Sequence, residues 1–252
     1  MSRLSFRPIL LGMIAAPLAL GLAACGDKTG SEGASTGDRI ENIAPPAGTS
    51  WADMIEQTPE GGYRMGNPEA PIKLIEFASM TCPHCAHFTE EGGEELRNQF
   101  VASGRVSWEF RNFVMNPLDL TLAMAIRCGA PESFFALTEQ ALANQETFIE
   151  TWTQAGEQRA MQAVNLPPEQ RYNAIAELVG IDDFFAARGI AADQTKSCLA
   201  KGEAGEVLVK ATQEQGEQHN ITGTPSFLIN GALADINTWA DVKARLEAMG
   251  AR

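Results

Sequence analysis

Positive charge is what this sequence has least of. Nineteen Lys and Arg stand against 32 Asp and Glu, a formal charge of −13 over 252 residues. Nucleic acid and anionic lipid surfaces both reward clustered cations, so the balance argues against either as a partner of the folded chain. Histidine is scarce as well: His84, His87 and His219 are all there is, and no second C-x-x-C accompanies Cys82 and Cys85. A zinc or copper(I) site could draw only on Cys82, Cys85 and His87, which is short of a tetrahedral set. Ala86, not histidine, follows Cys85, which disfavours c-type haem. There is no internal repeat and no block of like charge that reads as a tail. The apolar run "PILLGMIAAPLALGLAA", residues 8–24, is too short and too broken by proline to read as a spanning helix.

That run has another reading. Arg3 and Arg7 precede it, giving the basic and apolar regions of a secretory signal over residues 1–24. Its removal takes away two cations and no anions, leaving −15. The junction Leu22 to Cys25, "LAAC", resembles a bacterial lipobox, in which the cysteine is lipidated; ordinary cleavage at a small residue nearby is the alternative. Five cysteines in an exported chain leave one without a partner, and lipidation of Cys25 would account for it. Export also places the other four where disulfides persist. Residues 25–61, rich in Gly, Ser, Thr and Asp at their start, are expected to be a flexible tether.

The remainder divides by texture. "APIKLIEFAS" (70–79) reads as a strand, the run from Pro83 as a helix, and "RVSWEFRNF" (105–113) as a second strand, which makes a right-handed crossover with a parallel pair. Gly92 and Gly93 lie mid-helix and mark a candidate kink. Residues 117–202 are Ala-, Leu-, Glu- and Gln-rich segments broken by Gly and Pro, expected to be a helical subdomain. "TPSFLING" (224–231) reads as a strand turning tightly at Asn230–Gly231 into 232–236. A last helix is predicted with Thr238 and Asp241 as its cap, Trp239, Val242, Leu246 and Met249 as its buried stripe, and Gly250 at its end. The expected fold is α/β: one domain begun by residues 62–116, interrupted by a helical insertion over 117–202 and completed by 203–252.

A C-x-x-C pair can be a metal clamp, a structural staple or a redox couple. Its setting here is specific: directly after a buried strand, at a helix start with Pro83 in the first turn. Unpaired backbone N–H groups and the helix dipole would favour Cys82 as an anion, with His84 a possible further donor or cation. A stabilised thiolate belongs to the reduced state and makes the disulfide a better oxidant. Glu76, flanked by Ile75 and Phe77 in the first strand, is expected to be buried with a raised pKa.

Glu76, C-P-H-C at 82–85 and "GTPSFLING" at 223–231 together resemble the thioredoxin-fold, DsbA-type thiol–disulfide oxidoreductases of bacterial envelopes. The resemblance runs over nearly all of residues 62–250. It implies a thioredoxin fold with an inserted helical subdomain, Cys82 as the exposed nucleophile and Cys85 as the buried resolving thiol. It implies that Glu76 relays the proton of Cys85, and that a cis peptide precedes Pro225, so that the backbone of Thr224 can pair with an extended substrate. Cys128 and Cys198 resemble the second, structural disulfide of a subset of the family; two unconnected thiols are the alternative.

No cofactor is implied. The expected partners are unfolded or partly folded exported proteins and a membrane redox partner that recycles the site, with the chain a periplasmic monomer, held to the membrane by lipid at Cys25 or soluble without it. Proline and histidine between the cysteines lean towards a dithiol oxidase, whereas Thr224 before Pro225 resembles isomerase and reductase relatives. A soft-metal-binding lipoprotein and a passive lipoprotein with a decayed site are the rivals from other classes.

Overall fold

Strand β3 (Ile72–Ala78) lies inside a six-stranded sheet, and the chain's organisation follows from what covers its two faces. The computed structural model describes residues 37–252. Six strands, β1 (Ile55–Gln57), β2 (Tyr63–Met65), β3, β4 (Val106–Asn112), β5 (Ser226–Ile229) and β6 (Ala232–Ala234), are ordered β1-β2-β4-β3-β5-β6. Only β3 and β4 run parallel, joined through α1 (Pro83–Glu95) as the crossover reading requires. Alternation along β3 sorts the faces. Leu74 and Ala78 enter the large core with Cys85 and Phe88, while Phe77 packs with Ile221 and Leu228 on the other side.

Seven helices follow β4: α2 (Pro117–Ile126), α3 (Phe134–Ala143), α4 (Gln145–Ala155), α5 (Glu157–Val164), α6 (Pro168–Val179), α7 (Ile181–Ala186) and α8 (Ala192–Leu199). The long α9 (Gly202–His219) then returns the chain to β5, and α10 (Trp239–Ala248) closes the fold. This is an α/β thioredoxin core with an inserted helical subdomain. Asn230 and Gly231 take positive φ values of 50° and 82° in the turn between β5 and β6. Thr238 caps α10 by accepting from the Asp241 N–H at 3.2 Å, and Trp239, Val242 and Leu246 are buried.

One expectation is corrected. The tether expected over residues 25–61 does not extend through its described residues. Ile40 N–H donates to the Gly250 carbonyl at 2.9 Å and Ile43 N–H to that of Ser103 at 2.9 Å. Trp51 is buried with its indole N–H on the Ile43 carbonyl, and β1 adds an edge to the sheet. A few widely spaced apolar residues (Ile40, Ile43, Trp51, Ile55) anchor this polar stretch, and composition averaged them away. Helix α1 runs unbroken through Gly92 and Gly93 and passes at Glu95 into a π-helical turn, Leu96–Val101. A Cβ at Gly92 would run into the Trp239 indole, so the glycine lets α10 approach. Trp239 also meets Phe88 and Phe100 edge-on, each such buried ring contributing on the order of 2–3 kcal/mol. Residues 1–24 and Cys25 lie outside the described residues.

Candidate active site

The loop Ser79–Thr81 delivers the chain from β3 to α1, and buried side chains hold it from two sides. Asp119, on the first turn of α2, accepts from Ser79 Oγ at 2.7 Å, from Met80 N–H at 2.7 Å and from Met115 N–H at 2.8 Å. Gln145, which opens α4, donates through Nε2 to the carbonyls of Met80 (2.9 Å) and Cys82 (3.0 Å). The helical insertion therefore grips the loop at the Ser79 hydroxyl and at the N–H and carbonyl of Met80. Burial raises the Asp119 carboxyl to about 6 although three donors oppose it. Sequence reasoning missed both residues. Asn116 and Asp119 form a helix-start pattern in which the Asn116 side chain accepts from the Asp119 N–H, a signal that could have been read; nothing local marks Gln145.

Cys82 is the N-cap of α1 and Pro83 its first residue. The Cys82 thiol is lowered to about 5, above all by the hydrogen bond from the Cys85 thiol. Burial works against this, and donation from the Thr224 hydroxyl and the backbone N–H groups of Cys85 and His84 works with it. Cys85 is raised far above the ordinary thiol range by burial first, then by its bond to Cys82 and the nearby charge of Glu76. Both cysteines are unbonded here. One is poised as the anion and the other as the thiol that stabilises it.

Cys82 is less open than an exposed nucleophile. It keeps 8% of its surface, against none for Cys85, and its Sγ lies 3.2 Å from the Thr224 carbonyl. The Thr224–Pro225 bond is cis, and the Thr224 carbonyl and the Cys82 sulfur meet across 142 residues of sequence. His84 is exposed, and its backbone N–H, not its imidazole, is among the groups that lower Cys82.

Glu76 is fully buried in a strand flanked by β4 and β5. Desolvation raises its carboxyl to about 8, with Trp108 opposing the shift and the Cys82 charge adding to it. Trp108 Nε1–H donates to Oε2 at 3.0 Å, while Oε1 has no partner. An acid of that strength can hold or release a proton near neutrality, beside a thiol whose charge it disfavours. In the helical subdomain, Cys128 and Cys198 are joined in a disulfide that ties the turn after α2 to α8. His87 pairs with Glu91 on exposed α1 surface and His219 lies beside Phe77. Among the described residues no group of three or more His, Cys, Asp or Glu is arranged to hold a metal. No helix there is long and apolar enough to cross a membrane.

Residues 58–248 match a family model described as "Thioredoxin". The chain belongs to the thioredoxin family. A crystal structure of protein-disulfide isomerase from Novosphingobium aromaticivorans is 36% identical, with a TM-score of 0.68, and the match covers 73% of this chain and 96% of that one. The structure of Wolbachia pipientis alpha-DsbA1 shares the fold at 19% identity, with a TM-score of 0.61, over 80% of this chain and 96% of that one. A Rickettsia bellii protein named as a protein-disulfide oxidoreductase is 22% identical over 77% of this chain and 71% of its own length. The chain spans only about half the length of the further Rickettsia relatives it matches. With the closely spaced pair Cys82 and Cys85, the family match and the Novosphingobium likeness put the chain among the thiol–disulfide oxidoreductases of the family.

Proposed function

We propose that the protein is a dithiol oxidase of the bacterial envelope that introduces disulfides into exported polypeptides. The observation that carries the reading is the division of labour between the cysteines: Cys82 held near pKa 5 at the start of α1, Cys85 buried and far higher. A stabilised Cys82 thiolate favours the reduced pair, so the oxidised pair gives up its disulfide readily. In the reaction, a substrate thiolate attacks Cys82 Sγ of the Cys82–Cys85 disulfide. The S–S bond breaks, its electron pair leaves with Cys85, and Cys85 takes a proton, for which Glu76 is the adjacent donor. A mixed disulfide now joins substrate to Cys82. A second substrate thiolate attacks the substrate sulfur and displaces Cys82 as its stable anion. The substrate has lost two electrons, Cys82 and Cys85 hold them, and a membrane redox partner removes them.

Thr224 and Pro225 serve as the backbone platform for the substrate segment next to Cys82. Cys128–Cys198 is structural and stays outside the redox cycle. Residues 1–24 act as the export signal, and Cys25 carries the lipid that tethers the folded domain at the periplasmic side of a membrane. A second reading, isomerase or reductase, draws support from the name of the Novosphingobium relative at 36% identity. The glutathione redox equilibrium of Cys82–Cys85 tests the direction. We expect a potential near about −120 mV; a value near about −270 mV would replace the oxidase with a reductase.

A further inference from the structure

A groove of about 940 Å³ lies between α1 and the turn from α3 to α4, with Pro83 in its lining. Its apolar lining is formed by Ala86, Leu142, Ala143 and Ile149. Around these stand five glutamates. Glu90 and Glu94 are one turn apart on α1, Glu146 and Glu150 one turn apart on α4, and Glu139 comes from α3. The one lysine or arginine in the lining, Arg97, is already paired with Glu139. Among the described residues, Glu90, Glu94, Glu146 and Glu150 have no ion-pair partner. Like charges one turn apart repel within each helix, so both pairs are mildly destabilising in the free protein. Anions set around apolar surface complement a segment that brings cations and an apolar side chain together.

The groove also begins beside the redox pair, since Pro83, the residue after Cys82, is in its lining. Gln145 lines it, and the same amide holds the carbonyls of Met80 and Cys82. A polypeptide reaching Cys82 with its own cysteine can lay the neighbouring residues along this surface.

We infer that this groove binds the stretch of substrate polypeptide next to its reacting cysteine, and that it selects stretches in which Lys or Arg flank an apolar residue. The inference rests on the oxidase reading and adds the chemistry of the substrate to it. The test uses the mature full-length protein and two dithiol peptides of identical length, one with Lys-Leu-Lys beside the cysteine and one with Glu-Leu-Glu. The lysine peptide should be oxidised about tenfold faster at low salt, with the advantage shrinking as salt rises. Neutralising Glu90, Glu94, Glu146 and Glu150 to glutamine should cut the preference to about twofold or less. Four matched changes on α9 (Glu203, Glu206, Glu214 and Glu217 to glutamine) should leave it near its original size, which separates the groove from the overall negative charge. Equal rates for the two peptides, or equal loss of preference in both variants, overturns the inference. The same peptides with serine for cysteine, followed by fluorescence anisotropy, separate the two layers. Selective binding without any peptide oxidation sinks the oxidase and keeps the groove, whereas oxidation without selective binding sinks the groove and keeps the oxidase.

Discussion

Replacing Glu76 by leucine should flatten the dependence of stability on pH, and the size of the effect follows from the structure. The ordinary Glu value is about 4.3; in the folded protein burial raises it to about 8. Between these values the unfolded chain has released the proton and the folded chain still holds it, so the folded state binds more protons and stability falls as pH rises. The contribution is fully favourable below about pH 4.3 and is lost as pH climbs through about 8. Over about pH 5 to 8 the loss is on the order of 3–4 kcal/mol, each unit of difference being worth ~1.4 kcal/mol. The oxidised protein is the form to measure, because Cys82 then does not titrate. Its missing charge removes one of the smaller causes of the shift and leaves desolvation, the largest. Asp119, also raised, adds a slope that ends near pH 6 and is common to both proteins. Leucine abolishes the Glu76 slope but leaves the Trp108 N–H without its acceptor, a cost of about 1–3 kcal/mol. At about pH 7 the variant should therefore be as stable as the parent or slightly more so, and at about pH 8 clearly more so. Denaturant unfolding of both oxidised proteins across this range gives the two slopes. Parallel slopes would refute the reasoning, since the buried carboxyl would then not be titrating where the fold places it. The same variant should exchange thiols more slowly, with Cys85 deprived of its neighbouring acid, and unchanged rates would remove the relay role.

Three further outcomes follow from the geometry. The ultraviolet absorbance of the Cys82 thiolate should titrate with a midpoint near pH 5 and vanish in Cys82→Ser, which should also abolish disulfide transfer; a midpoint in the ordinary thiol range contradicts the site. Gly92→Ala should destabilise by about 1–3 kcal/mol through its clash with Trp239, while Gly93→Ala, whose new methyl meets Thr89 at an ordinary 3.5 Å, should be neutral or stabilising by up to about 1 kcal/mol; thermal unfolding of the pair in the reverse order refutes the packing argument. Replacing Cys128 and Cys198 together by alanine opens a loop of 70 residues and should cost about 4 kcal/mol in denaturant unfolding while disulfide transfer at Cys82 persists below the new melting point; loss of transfer with the fold intact would tie that bond to the redox cycle.

Local patterns carried much of the fold and the redox pair. The apolar β3, Pro83 at the start of α1, the Asn230–Gly231 turn and the Thr238 cap each write their conformation into a few adjacent residues, because steric and hydrogen-bonding rules act over one turn of chain. The cysteine pair and the buried Glu76 were legible for the same reason, with Pro225 legible through resemblance. Tertiary structure alone decided the rest. Asp119 and Gln145 converge on the Met80 loop from 39 and 65 residues away, and no local rule encodes such a meeting. Trp239 explains Gly92 only once α10 has folded back onto α1. Residues 37–57 join the fold because backbone donors such as those of Ile40 and Ile43 find carbonyls near the far end of the chain and after α1. Sequence specified which sulfur begins a helix and placed within one turn of it the Cys85 thiol and the backbone N–H groups that make Cys82 acidic; the Thr224 donor and the burial that suppresses the acidity of Cys85 belong to the assembled chain.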